Sequence, residues 1–148
     1  MTRSCRRGLR QTVGIGVATA ALLAGCAPEP PGDGAAYFAV EMGRPEDGFV
    51  IKLTDPAKIA AARAMVAGAG TSGAHVMGTV VSRAESYNAP WQFHLDPASI
   101  DFFAFAIEVC DAATSYVDQH LPEVGGAFLP NRQWCPWSSR VAREVSVP

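Results

Sequence analysis

The stretch PASIDFFAFAIEVCDAATSYVDQHLP, residues 97–122, decides how this chain is read. Ile100, Phe103, Ile107, Cys110, Thr114, Val117 and Leu121 recur at three- and four-residue spacing. That period is the signature of one helix face turned to a core, and it predicts a helix of about six turns that Pro122 ends. Asp96-Pro97 supplies the expected start, an aspartate N-cap followed by proline at the first helical position. Cys110 falls on the buried stripe of that helix, which points to a structural thiol.

Upstream, WQFHLDPASI repeats the form of FVIKLTDPAKI. Each is an alternating strand, then Asp-Pro, then isoleucine three residues beyond the proline, with the two Asp-Pro pairs 41 residues apart. Phe49, Ile51 and Leu53 share one strand face, and Asp55-Pro56 opens a first helix with Ile59, Ala62, Met65 and Val66 on its stripe and Gly68 at its end. AYFAVEM and HVMGTVVSR read as strands, the second with Gly78 at a bulge or a close backbone approach. GRPEDG reads as a turn and RVAREVSV as a final edge strand. EVGGAFLPNRQWCPWSS is expected to be one long irregular loop. The resulting fold class is α+β, with two helices packed on a largely antiparallel sheet of four to five strands in the order β-β-α-β-β-α-β.

The N-terminus reads as a targeting segment. Arg3, Arg6, Arg7 and Arg10 precede the apolar run TVGIGVATAALLAG, which is too short to span a bilayer comfortably. Leu23-Ala24-Gly25-Cys26 has the form of a bacterial lipobox, in which the Cys26 thiol accepts a diacylglyceryl group and starts the mature chain. Arg6-Arg7 is compatible with twin-arginine export. The expected organisation is a signal peptide over 1–25, a lipidated Cys26 and Pro/Gly-rich tether over 26–36, and one domain over 37–148. Residues 26–148 carry 8 basic and 14 acidic side chains, a formal balance of −6 against −2 for the whole chain. Such a surface repels nucleic acid. Membrane attachment therefore rests on acyl chains at the extracytoplasmic face and not on a basic helix.

With Cys5 in the signal and Cys26 lipidated, Cys110 and Cys135 remain in an oxidising compartment, and a disulfide between them is the economical reading. A nucleophilic or metal-bound Cys135 needs a reduced thiol, and no CxxC accompanies it. His75, His94 and His120 show no helical zinc spacing, and no HExxH, phosphate-binding glycine loop or GxSxG elbow occurs. No cofactor and no resident metal are implied. Ser138-Ser139 has no neighbour that marks a nucleophile. Glu108 and Asp111, three apart on one helix, are the carboxylates able to do acid–base or cation chemistry together with His94. Tyr87, Asn88, Trp91, Trp134 and Trp137 instead gather recognition-type side chains in or beside loops.

The runs YNAPWQFHLDP, IEVCDA and WCPWSSR, the last followed by EV, resemble the domain at the N-terminus of a slime-mould, cyclic-AMP-inducible, calmodulin-binding prespore protein. Small secreted actinobacterial proteins labelled calmodulin-binding protein are similar. The resemblance covers roughly Tyr37 to Val145 and implies a small α+β domain without an established catalytic activity. Calmodulin binding does not follow from it. Calmodulin targets are basic amphipathic helices, whereas this chain is acidic and its long helix carries Glu108, Asp111 and Asp118. Together these readings predict a lipid-anchored extracytoplasmic domain that engages a protein, peptide or glycan through Tyr87, Asn88, Trp91, Trp134 and Trp137. The alternative is a secreted metal-dependent or hydrolytic enzyme using His94, Glu108 and Asp111.

Overall fold

The computed structural model describes residues 34–69, 74–105 and 109–147. The signal, lipobox and most of the tether, together with Ile107 and Glu108, lie outside the described residues. Among the described residues there are two α-helices and nine strands, the strands arranged in several small, mainly antiparallel sheets. The α+β class therefore holds, but the single sheet of four to five strands does not.

The first sheet has the order β2-β1-β9, built from β1 (Ala36–Glu41), β2 (Phe49–Leu53) and β9 (Arg140–Val145). Strict alternation puts Phe38, Val40, Phe49, Ile51, Leu53 and Val141 inward, and their burial supplies the hydrophobic driving force. The GRPEDG segment between β1 and β2 is a single 3-10 turn over Pro45–Asp47. α1 (Pro56–Val66) follows, and its start is the expected one. The Asp55 carboxylate accepts from the Ala57 and Lys58 amides at 2.7 and 3.3 Å. Its end also matches, with Gly68 at φ +72° and its N–H on the Met65 carbonyl. Ile59 and Ala62 are buried, whereas Val66 is 40 % exposed and leaves the predicted stripe.

The second sheet is organised around β3 (His75–Val81). Along one edge run β5 (Asp101–Phe103) opposite His75, Val76 and Met77, and β4 (His94–Leu95) opposite Val80 and Val81. β8 (Gln133–Trp134) pairs with Gly78 and Thr79 on the other edge, where the Val80 N–H also reaches the Arg132 carbonyl at 2.9 Å. Gly78 makes no bulge. A Cβ there would sit 3.2 Å from Leu95 Cδ1 and 3.4 Å from Ile100 Cγ1, so side chains make the close approach.

The six-turn helix is not formed, and its residues divide between β5 and α2 (Thr114–Gln119). Asp96-Pro97 again opens a turn: the Ala98 amide bonds the Asp96 carboxylate at 3.0 Å, and the Ser99 amide bonds the Asp96 carbonyl at 2.9 Å. The chain then diverges from its earlier counterpart. Pro56 is followed by alanines, good helix formers, whereas Ser99 is followed by Ile100, Asp101, Phe102 and Phe103, which suit a pleated surface. Ser99 Oγ also accepts the Thr79 amide at 2.8 Å and ties the turn to β3. α2 begins where Asp47 caps it from a distance, the carboxylate accepting the Ser115 N–H at 2.9 Å. At its end His120 Nδ1 donates to the Tyr116 carbonyl at 2.8 Å.

The supposed irregular loop after Pro122 also contains structure. β6 (Val124–Gly125) and β7 (Phe128–Pro130) form a small parallel pair, and β8 follows. Leu129, Asn131 and Arg132 have φ of 45°, 58° and 61°, a left-handed turn that places Leu129 in the core. Among the described residues no helix is long and apolar enough to cross a membrane.

Candidate functional site

Cys110 and Cys135 form a disulfide, with Cα atoms 5.2 Å apart. Both residues are buried, but Cys110 lies in irregular chain before α2 and not on a helix. Three further bonds fasten the same two segments together. The Cys135 amide donates to the Cys110 carbonyl at 2.9 Å, and Trp134 Nε1 donates to the Ala112 carbonyl at 2.9 Å. The Trp137 amide donates to the Asp111 carboxylate at 3.1 Å.

This clamp sends the two tryptophans in opposite directions. Trp134 is fully buried and packs against Phe49 at 4.8 Å and Phe93 at 5.5 Å between ring centroids. Among the described residues it is the largest fully buried side chain, so the expectation that it reaches a partner gives way to a core role. Trp137 is half-buried beneath an outer cluster. His75, Phe103 and Phe105 lie 5.8, 5.4 and 6.0 Å from its ring, the last two edge-on. Phe105 is 75 % exposed, which leaves apolar surface beside Trp137, and Val109, next to Cys110 in the chain, is 86 % exposed. Sequence reading missed both residues. The available signal was that neither fits the three-and-four stripe built on Ile100 and Cys110.

The other predicted group divides in the same way. Asn88 is buried and serves the backbone: its Oδ1 accepts the Val50 N–H at 2.7 Å and its Nδ2 donates to the Phe93 carbonyl at 2.9 Å. It closes the free edge of β2, a structural use that the contact role assigned from sequence did not foresee. Removing it in Asn88→Ala leaves both groups unpaired, and urea unfolding is expected to show a loss of about 2 kcal/mol. Trp91 is half-buried, with Nε1 donating to the Gly48 carbonyl at 2.9 Å. Tyr87 lies against Tyr37 at 5.2 Å, and burial, with the Glu85 carboxylate second, pushes its phenol up to about 12. A phenol held protonated in the fold contributes stability that is complete below its unfolded pKa near 10 and is lost as pH rises towards 12. An ultraviolet tyrosinate titration should therefore show Tyr87 ionising near pH 12, and Tyr87→Phe should remove that step.

His94 and Asp111, two members of the alternative catalytic set, are not brought together. His94 is buried, its Nδ1 donating to the Arg83 carbonyl at 2.7 Å. It pairs with Val81 at one end of β3, whereas Asp111 bonds the Trp137 amide beside His75 at the other end. Seven residues of strand put roughly 20 Å between those ends. Glu108 lies outside the described residues. Ser139 is buried as well, its hydroxyl accepting from the Val76 amide at 2.9 Å and donating to the Pro136 carbonyl at 2.6 Å. Among the described residues no group of three or more His, Cys, Asp and Glu could hold a metal ion.

Comparison with curated proteins and with solved structures found no significant match. The family model of the BP-74 N-terminal domain matches residues 34–148, which include every described strand, both helices and the disulfide. This is the prespore-protein domain that the tryptophan-rich runs resemble, and the chain belongs to the BP-74 N-terminal domain family.

Proposed function

We propose that this chain is a lipid-anchored recognition domain on the extracytoplasmic face of the cell membrane, binding a protein or peptide through the surface around Trp137. The supporting observation is the exposure of Phe105 beside a tryptophan whose backbone is held by the Asp111 carboxylate next to the disulfide. Exposed aromatic surface on a stiff frame suits binding, because little side-chain freedom is lost on contact. The chain enters the domain at Ala36, the start of β1, while Trp137 adjoins the opposite end, where Ser138 lies against Gly43. Two acyl chains suffice for stable anchoring.

Two measurements test this reading. In membrane fractionation the wild-type chain should pellet with the membrane, and Cys26→Ser should lack the acyl mass. For recognition, the domain from Ala27 onward is immobilised and incubated with envelope extract, with Val66→Ala as a surface control. Trp137→Ala is expected to lose the captured partner by about tenfold or more, the size of a binding hot spot. Equal capture by wild type and Trp137→Ala would sink the proposed surface.

A further inference from the structure

The outer face of the β2-β1-β9 sheet, turned away from the core, carries a cleft of about 570 Å3, a size suited to a small ligand. Strand register runs Val50, Ala39 and Arg143 side by side across this face. Ala39 and Val50 contribute small and medium apolar side chains to the cleft, Met42 and Pro45 line it beyond the end of β1, and Ala89 follows Asn88 on the β2 side. The lining also takes in Val40, Gly48 and Phe49, and it shares no residue with the Trp137 surface.

Its charges are unequal. The Glu41 carboxylate in the lining is held by the Arg140 guanidinium, and Arg63 and Arg83 likewise hold Glu144 and Glu85. The Arg143 side chain makes no hydrogen bond or ion pair with a described residue. One uncompensated guanidinium therefore stands over an apolar floor. A guanidinium fork matches a carboxylate through two parallel hydrogen bonds, and an alkyl chain gains from covering the floor. The domain's overall negative charge does not oppose this at close range, since distant surface charges are screened beyond about 8 Å at physiological ionic strength.

We infer that this cleft binds a small aliphatic carboxylate of the medium-chain fatty-acid class, its head group on Arg143 and its chain along Ala39 and Val50 towards Met42 and Pro45. This site is separate from the Trp137 surface and does not depend on it.

The test uses decanoate as probe, titrated into the domain from Ala27 onward, which contains the whole core, the disulfide and the family match. Binding is followed by calorimetry and located by amide chemical-shift changes. Saturable binding is expected, with the shifts centred on Ala39, Gly48 and Val50. Arg143→Gln should weaken it by about tenfold or more, the loss expected for a charge-assisted pair. Decanol and decyltrimethylammonium, of equal chain length, should bind weaker than decanoate by a similar factor. Ala39→Phe, which fills the cleft from a solvent-facing position, should abolish binding, and Trp137→Ala should leave it unchanged. Absence of saturation, equal affinity for decanol, indifference to Arg143→Gln, or shifts centred on Trp137 would each overturn the assignment.

Discussion

Trp134→Ala is expected to destabilise the domain by about 4 kcal/mol in urea unfolding, within the range for truncating a buried aromatic side chain. Three losses combine in it. The indole leaves a cavity between Phe49 and Phe93, which belong to different parts of the core, and its contacts with both rings disappear. The Ala112 carbonyl also loses its donor. Small domains are stable by only about 5–15 kcal/mol, so the variant should unfold at markedly lower urea with little change in the slope of the transition. The same substitution at Trp137, which lies outside the core, should cost much less. A Trp134→Ala variant within about 1 kcal/mol of wild type would contradict the core placement.

The second large effect is expected from the disulfide. Cys110 and Cys135 are separated by 25 residues, and closing a loop of that length restricts the unfolded chain by about 3.5 kcal/mol on the chain-entropy account. The double variant Cys110→Ser/Cys135→Ser should lose stability of that order and, in addition, local order. The bonds from Cys135 to Cys110 and from Trp137 to Asp111 lie directly beside the bridge. Hydrogen exchange at the Cys135 and Trp137 amides should accelerate more than exchange in β1 or β2. Uniform acceleration across the domain would show that the bridge acts on global stability alone and does not frame the Trp137 surface.

Much of the fold was legible because local chemistry agreed with tertiary packing. β1, β2, α1 and β3 were read from alternation, an Asp-Pro cap and a closing glycine, each of which the structure uses. The second Asp-Pro unit misled because its spacing had two explanations. Ile100 and Phe103 are buried from a turn and a strand, Cys110 from a disulfide in irregular chain, and only Thr114 and Val117 from a shared helix face. Three-and-four spacing thus arose from four different structural settings. β-propensity in IDFF and the pairing of β5 with β3 outweighed the helical period, and pairing between strands so far apart in the chain leaves no local mark.

The candidate site was legible in residue type but not in direction. QWCPW contains both an inward and an outward tryptophan, and their separation depends on β8 placing Trp134 opposite Gly78. The left-handed residues Leu129, Asn131 and Arg132 that deliver this strand are ordinary side chains, not the glycines that usually announce such a turn. Asn88 resembled a loop contact residue and instead pairs two buried backbone groups, a use fixed by Val50 and Phe93 from separate parts of the chain.

Site-specific photo-cross-linking in intact cells tests the recognition surface most directly. A photoreactive residue is placed at Phe105 or at Ser138, beside Trp137, in the full-length chain, with Val66 as the control position. The proposed function predicts one discrete adduct at Phe105 and Ser138, absent at Val66 and lost when Trp137→Ala is added. Adducts of the same pattern at all three positions, or a Phe105 adduct that survives Trp137→Ala, would contradict it.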